Sequence, residues 1–351
     1  MPLPMRSTQP RRRPEIAADP FQEKIRIPSF GVQLLGGRFR FETRSSQLRQ
    51  LVESAYANLP SHRLATRPRA FRISLVVLPA QSARSWPTLP RPQLFSSARM
   101  VGGATPASNF AVVAPDERTG VIAVSSEALR HSYEIRYELI EFAVFTLAAR
   151  VQGLIPLHAA CVGQHGRGLI LIGDSGAGKS TLTLQCGLNG LELVCEDSLF
   201  VTPETLSLTG VANFLHLRGD SLRFLPADIA ALVRKSPVIR RRSGIRKFEI
   251  DLRRAQFHLA PAPLRLAGLV FMTGKPSRGA RQLVPLGAAE VKRRLTATQP
   301  YAAGQESWRT FMKRMSGVAA YELARGSHPR EAVAALKYIL AAPGARDAGP
   351  R

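Results

Sequence analysis

The chain has 351 residues and a mass of 38.4 kDa, with 45% hydrophobic and 21% charged residues. This composition is typical of a globular protein and excludes wholesale disorder. Lysine and arginine number 49 against 25 acidic residues, a formal net charge of +24. Such a charge favours anionic partners. Only 8 of the 49 are lysines, however, and a coding bias toward arginine would produce the same excess without any partner.

The sequence gives no sign of a membrane or secreted protein. Its apolar runs stay far below the roughly 18 residues of a membrane helix. The basic segment 1–14 lacks the apolar core of a signal peptide. Cys161, Cys186 and Cys195 follow no metal-ligand spacing and cannot form a disulfide framework. We therefore expect a cytoplasmic protein with reduced cysteines and no membrane partner.

The first half of the chain predicts an α+β domain. Residues 1–20 are polar, proline-rich and basic, which is typical of a disordered tail, and the domain is expected over 21–152. Its predicted elements, in chain order, are a hairpin of 31–35 with 38–41, a helix over 46–59, a strand over 71–78, a hairpin of 110–113 with 120–124, and an amphipathic helix over 132–151. None of these segments suggests chemistry.

A second domain is expected over 153–341, followed by a disordered tail at 342–351. Strands are predicted over 157–162, 168–172, 191–195, 211–217 and 266–272, with another near 200. Helices are predicted over 179–187, 288–295, 309–318 and 330–340. The turn at 163–167 indicates that the first two strands pair in antiparallel fashion.

Residues 173–180, Gly-Asp-Ser-Gly-Ala-Gly-Lys-Ser, match the phosphate-binding loop G-x-x-x-x-G-K-[ST]. An apolar strand precedes the loop and a helical pattern follows it, which is the context that the motif requires. Glycines let backbone N–H groups turn toward phosphate oxygens, and the helix N-terminus adds the positive end of its dipole. Lys179 is expected to contact the β- and γ-phosphates of ATP, and Ser180 to ligate Mg²⁺. The predicted nucleotide-binding residues are Gly173, Asp174, Ser175, Gly176, Ala177, Gly178, Lys179, Ser180 and Thr181.

Two adjacent acids, Glu196 and Asp197, end the strand that follows the predicted helix, only 17 residues after Lys179. The later strand over 266–272 ends without a carboxylate, so this close pair must handle both the metal and the nucleophile. A strand parallel to the loop strand would place its carboxyl end beside the loop. One acid can hold Mg²⁺ while the other accepts a proton from an attacking hydroxyl.

Two further residues are candidates for contact with phosphate. If 163–167 is the hairpin connection, the numbers of two residues that face each other across the hairpin add up to about 331. This places His158 opposite Gly173. His158 would then shuttle a proton or contact a phosphate, although a buried structural histidine is the competing interpretation. Arg218, in the segment 215–219, can contact a phosphate or simply face solvent from an alternating strand.

These residues resemble the C-terminal catalytic domain of HPr kinase/phosphorylase. The resemblance rests on His158-Ala-Ala, the loop 173–180, the stretch 190–197 and Leu217-Arg218-Gly219. It implies an α/β fold: a P-loop kinase domain of the HPr kinase/phosphoenolpyruvate carboxykinase type, here following an N-terminal α+β domain. It also implies Mg²⁺-dependent transfer from ATP to serine, and a homo-oligomer.

By the family pattern, Glu196 stands at the catalytic aspartate, Asp197 at a metal-site aspartate and His158 at the active-site histidine. The sequence departs from the family at three places. The first acid is Glu196, a family glutamate is replaced by His216, and the later Pro-Val-Arg-Pro-Gly-Arg-Asn signature is here 237–243. The chain therefore resembles divergent HPr-kinase-like proteins, some of which phosphorylate a serine of a precursor peptide.

The sequence therefore predicts an ATP-dependent kinase acting on a hydroxyl of a protein or peptide. Catalysis is assigned to Glu196, His158 and Arg218, and the metal to Ser180 and Asp197. The basic stretch 234–254, with Arg240, Arg241 and Arg242, would neutralise phosphate charge, dock an acidic peptide or nucleic acid, or remain solvated. A nucleotide-dependent nucleic-acid-binding protein ranks below the kinase, because aromatic-rich basic motifs are lacking. A non-catalytic nucleotide-sensing module is the other alternative.

Overall fold

The computed structural model describes residues 27–65, 67–80, 88–97, 99–105, 109–276 and 282–342. The described chain is a mixed α/β structure with three sheets of seven, ten and three strands. The tails predicted at 1–20 and 342–351 lie outside the described residues, apart from Ala342. Within the described ranges, no helix is both long and apolar enough to cross a membrane.

The first sheet has the strand order β1-β2-β3-β7-β6-β5-β4. Both predicted hairpins are confirmed, since β1 pairs with β2 and β6 with β7 in antiparallel fashion. Alternating burial along β2, β3 and β6 turns one face of the sheet toward the core. The strands are β1 (Ser29–Leu34), β2 (Gly37–Glu42), β3 (Ala70–Leu78), β4 (Gln93–Ser96), β5 (Val101–Thr105), β6 (Asn109–Ala114) and β7 (Thr119–Ser125).

Helices cover the inner face of this sheet. Helix α1 (Ser46–Tyr56) is capped by Ser45, whose side chain accepts a hydrogen bond from the Leu48 N–H, and it ends three residues before the predicted end at 59. The helix predicted over 132–151 is instead α2 (Ser132–Glu134), a π-helical segment (Ile135–Ile140) and α3 (Glu141–Gln152). The sequence pattern gave no sign of the π segment, a form that is often found at functional sites.

The second sheet has the order β17-β11-β9-β10-β18-β13-β12-β8, with β20 pairing with β18 and β19 pairing with β20. Its strands are β8 (Ile155–His158), β9 (Ala160–Gln164), β10 (Arg167–Gly173), β11 (Glu192–Cys195), β12 (Ser198–Thr202), β13 (Ser207–Gly210), β17 (His258–Leu259), β18 (Leu264–Pro276), β19 (Leu283–Pro285) and β20 (Ala320–Arg325). The prediction of one strand over 211–217 is wrong, because β13 ends at Gly210 and the next strand starts at Phe214.

The single strand predicted over 157–162 is also wrong. The strand is interrupted at Ala159. The N–H of Ala159 donates hydrogen bonds to the carbonyls of Leu157 and Asp197 and does not join the hydrogen-bond ladder between β-strands. After the break, β9 pairs with β10 in the predicted antiparallel register, with Leu171 opposite Ala160. Before it, β8 leaves that pair and joins β12, so His158 lies opposite Ser198 and not opposite Gly173.

Strand directions place the candidate site at one edge of this sheet. β10 is parallel to β18, and both β10 and β11 are antiparallel to β9. β11 therefore runs in the same direction as β10, with β9 between them. The carboxyl ends of β10, β11 and β18 meet at one edge, where ligands bind in open α/β sheets.

The third sheet, β14-β16-β15, lies beside that edge. Its strands are β14 (Phe214–Leu217), β15 (Val238–Arg240) and β16 (Arg246–Asp251), and β14 pairs with β16 so that His216 faces Glu249. The remaining helices are α4 (Lys179–Leu188), α5 (Ala227–Arg234), α6 (Ala288–Thr298), α7 (Pro300–Ala303), α8 (Trp308–Met315) and α9 (Pro329–Ala341).

The cores of the two halves are in contact. Phe200 and Val211, from the second half, belong to the same apolar cluster as the first sheet and its helices. Buried His62, from the first half, contacts two residues of the second half. Its Nδ1 lies 2.8 Å from Thr209 Oγ1, and its Nε2 lies 2.9 Å from the Ala260 carbonyl. The domain boundary near residue 152 stays a prediction.

Candidate active site

The loop 174–178 connects β10 to α4. Gly176 and Gly178 have φ angles of +92° and +97°, a left-handed conformation that side chains rarely adopt. These glycines let the loop turn back over the start of α4, where the first N–H groups of a helix have no partner within the helix. The first turn of α4 thus provides donors for an anion.

A cavity of about 550 Å³ opens over the loop. It brings together all the predicted site residues except Gly173, which ends β10 behind the loop. Its other lining residues include Tyr137, His216, Arg241 and Lys247, of which only Arg241 was predicted to act on phosphate charge.

Lys179 and His158 meet at the floor of this cavity. The Lys179 Nζ lies 3.2 Å from His158 Nε2, and an ammonium only donates, so the imidazole nitrogen accepts. Partial burial and then the positive charge of Lys179 lower the pKa of His158, which favours this neutral form. Gln299 fixes the histidine backbone, accepting from its N–H at 2.8 Å. His158 thus lies near the loop as predicted, although through a different strand pairing.

The two acids contact different partners. Ser180 Oγ donates to Glu196 Oε1, whereas the prediction grouped Ser180 with Asp197. Asp197 Oδ2 lies 3.4 Å from the Tyr137 hydroxyl and 4.0 Å from Arg241 Nη2. Glu196 is therefore the acid on the loop side, and Asp197 is the acid on the side of the first half of the chain.

Burial and charge act oppositely on the two carboxyls. Burial, followed by the negative charge of Asp197, raises the pKa of Glu196. Burial also opposes ionisation of Asp197, but its electrostatic interactions with His216 first, and then with His158, Lys179 and Arg241, outweigh burial and lower its pKa. One acid is thus suited to accepting a proton and the other to remaining a carboxylate.

The donors at this position fit a hard divalent cation. One ligand atom each from Glu196, Asp197 and His216 lies within 4.8 Å of the others, and the Ser180 hydroxyl adjoins Glu196. Carboxylate and hydroxyl oxygens are the ligands that Mg²⁺ prefers in proteins, usually together with phosphate oxygens. The oxygen donors and the glycine-rich loop 174–178 are therefore compatible with Mg²⁺-ATP.

His216 stands between the acids and the third sheet. Its Nε2 donates to Glu249 Oε1 at 3.1 Å, and its Nδ1 accepts from Arg241 Nη2 at 3.3 Å. Glu249 also binds the Arg136 guanidinium. No role was predicted for Glu249, since only the register of β14 with β16 brings it to His216.

The three consecutive arginines of the basic stretch have three environments. Arg240 is exposed, and Arg241 points into the cavity with its guanidinium 4.8 Å from the Tyr137 ring centroid. Arg242 forms a two-point ion pair with Glu138 and donates to the Leu89 carbonyl at 2.7 Å. Arg218 lies at the cavity rim, half-exposed and 3.3 Å from Asp220.

Comparison with known proteins gives a weak structural likeness. No family model matches the chain, and no curated protein matches it. The structure of the HPr(Ser) kinase/phosphatase from Coxiella burnetii is similar over 52% of this chain and 94% of that one, with 14% identity and a TM-score of 0.27. A score this low does not establish a shared fold, so the function must be inferred from the site itself.

Proposed function

We propose that the protein is an ATP-dependent kinase that transfers the γ-phosphate to a hydroxyl, most simply a serine, of a protein or peptide. The observation that carries this proposal is that Lys179, Ser180, Glu196 and Asp197 share one cavity over a phosphate loop. Phosphoryl transfer needs phosphate donors, a metal site and a group that orients the nucleophile. This cavity contains side chains suited to all three.

Each residue has a proposed role. The loop N–H groups and Lys179 hold the phosphates, and His158 orients the lysine through their contact. Ser180 and the acid pair would hold Mg²⁺, which neutralises phosphate charge when bound. The low pKa of Asp197 supports a ligand role for it, and the raised pKa of Glu196 supports acceptance of the hydroxyl proton. The contact of Ser180 with Glu196 supports the opposite division, and variants distinguish the two.

Arg241 is the proposed stabiliser of the phosphoryl group during transfer. It lies 4.0 Å from Asp197 and is held by a tyrosine ring and His216, so little conformational freedom remains to be lost in the reaction. Several cations on the cavity wall, more than a Mg²⁺-bound triphosphate needs, support an acidic acceptor segment. They are Arg218, Arg223, Arg241, Lys247 and Arg325.

The test is phosphate transfer from Mg²⁺-ATP to synthetic serine peptides with acidic, neutral or basic flanks, with Lys179→Ala as control. The proposal expects transfer that needs Lys179 and is fastest with acidic flanks. ATP binding without transfer to any peptide or protein would favour the nucleotide-sensing alternative. Salt-dependent binding of DNA without transfer would favour the nucleic-acid-binding alternative.

A further inference from the structure

The helix that ends the first half of the chain contacts the catalytic edge at several points. Three consecutive residues of this helix contact the second half of the chain. Arg136 binds Glu249, Tyr137 binds Asp197 and Glu138 binds Arg242. One turn later, Glu141 accepts from Asn213 Nδ2 at 3.3 Å. All three consecutive residues lie in the π-helical segment, and the contacts of Arg136 and Tyr137 lead to the acid pair.

Tyr137 contacts one acid directly. Its hydroxyl lies 3.4 Å from Asp197 Oδ2, and the negative charge of Asp197, followed by burial, raises the pKa of Tyr137, so the phenol keeps its proton and donates. Its ring is fixed on two sides, stacked on Tyr133 with centroids 5.6 Å apart and covered by the Arg241 guanidinium. The hydroxyl therefore points at Asp197 from a rigid support.

Arg136 reaches the other acid through two residues. It is buried, 6% exposed, and lies 4.2 Å over the Phe214 ring while binding Glu249. Glu249 accepts from His216 Nε2, and His216 Nδ1 lies 4.0 Å from Glu196 Oε2. Arg136 and Glu249 thus fix the orientation of the His216 ring, and the Nδ1 side of this ring lies beside Glu196.

We propose that Arg136 and Tyr137 are positioning residues that hold the acid pair, Arg136 acting on Glu196 through Glu249 and His216, and Tyr137 acting on Asp197. This inference rests on the proposed function. Two adjacent carboxylates repel each other, and metal sites depend on outer contacts to orient their ligands. The first half of the chain is then part of the metal site, a role that its own sequence did not suggest.

Calorimetry of ATP binding to the full chain, with Mg²⁺ and with a chelator, tests the Tyr137 contact. Tyr137→Phe removes only the hydroxyl, and we expect the Mg²⁺-dependent gain in ATP affinity to fall about tenfold, with affinity in chelator unchanged. Tyr133→Phe is the matched control. It is the same change one turn away, at a hydroxyl without a hydrogen-bond partner among the described residues. Equal Mg²⁺-dependent gains in ATP affinity in the two variants would overturn the role proposed for Tyr137.

Glu249→Gln tests the second contact in the same assay. Glu138→Gln is its control, because it breaks the neighbouring ion pair with Arg242, which does not line the cavity. We expect Glu249→Gln to lower the Mg²⁺-dependent gain several-fold more than Glu138→Gln does, with melting temperatures showing that both variants fold. Equal effects of the two variants on this gain would overturn the role proposed for Arg136. If the wild-type protein binds no ATP, the proposed function itself fails, and that result differs from both others.

Discussion

The Ser180 hydroxyl donates a hydrogen bond to Glu196, the first of the two adjacent acids and the more deeply buried one. The loop serine and the first acid are therefore in direct contact. Asp197 faces away from this contact, toward Tyr137 and Arg241. The two carboxyls thus have distinct neighbours, and substitutions should separate their roles.

Removing the phosphate-loop lysine should abolish catalysis without unfolding the protein. Lys179→Ala deletes a charge aimed at the phosphates, and loss of one such contact costs roughly 10²- to 10³-fold in turnover. Circular dichroism should be unchanged, because the lysine faces the cavity and contacts His158 rather than the apolar core. Wild-type turnover and ATP affinity in this variant would contradict the phosphate-loop assignment.

The two isosteric amide variants divide the roles of the acids. If Asp197 ligates the metal and Glu196 accepts the proton, Asp197→Asn weakens Mg²⁺-ATP binding more than Glu196→Gln does. Glu196→Gln then lowers kcat by about 10²-fold or more with binding nearly kept. If Glu196 shares the metal with Ser180 instead, the binding defect moves to Glu196→Gln. Calorimetry and initial rates distinguish the two patterns, and equal binding defects would contradict both divisions.

The three consecutive arginines should respond differently to single alanine substitutions. Arg241→Ala should lower turnover at saturating ATP and acceptor, because Arg241 alone of the three lines the cavity. Arg242→Ala should lower the melting temperature, because it breaks the ion pair with Glu138. Arg240→Ala, at an exposed position, is the control and should change neither. Equal losses of turnover in all three variants would indicate a diffuse basic surface.

Local sequence pattern predicted the elements on either side of the glycine-rich loop 174–178. The β9–β10 register, the start of α4 at Lys179 and the acids after β11 all follow from motifs and alternation within about forty residues. The break at Ala159 could not be predicted this way, because it depends on a hydrogen bond from its N–H to the Asp197 carbonyl, which no motif or alternation of residues indicates.

The sequence could not reveal the outer contacts of the site. Arg136 and Glu249 are 113 residues apart and Tyr137 and Asp197 are 60 apart. Each pair meets only when the helix of the first half packs against the third sheet and the end of β11. Arg136 and Tyr137 lie in an amphipathic pattern that predicts a helix and gives no indication of chemistry.

Stability should depend on pH through Glu141. Burial raises the pKa of Glu141 to about 8 from an ordinary value of 4.5. Between these two pH values the unfolded chain has released a proton that the folded protein keeps, so stability falls as pH rises through this window. Glu141→Gln removes the contribution of this carboxyl to the pH dependence of the free energy of unfolding. Thermal unfolding should show a smaller loss of melting temperature from pH 5 to pH 8 in the variant, and identical losses would contradict the prediction.

The central claim is that this cavity transfers the γ-phosphate of ATP to a serine hydroxyl of a protein or peptide. The direct measurement uses γ-labelled ATP, Mg²⁺ and a desalted extract of the encoding organism, incubated with wild-type protein or Lys179→Ala, followed by phosphoamino-acid analysis. We predict label in phosphoserine that is present with the wild type, absent with Lys179→Ala and abolished by a chelator. Labelling that is equal with both proteins, or absent with both, would contradict the claim.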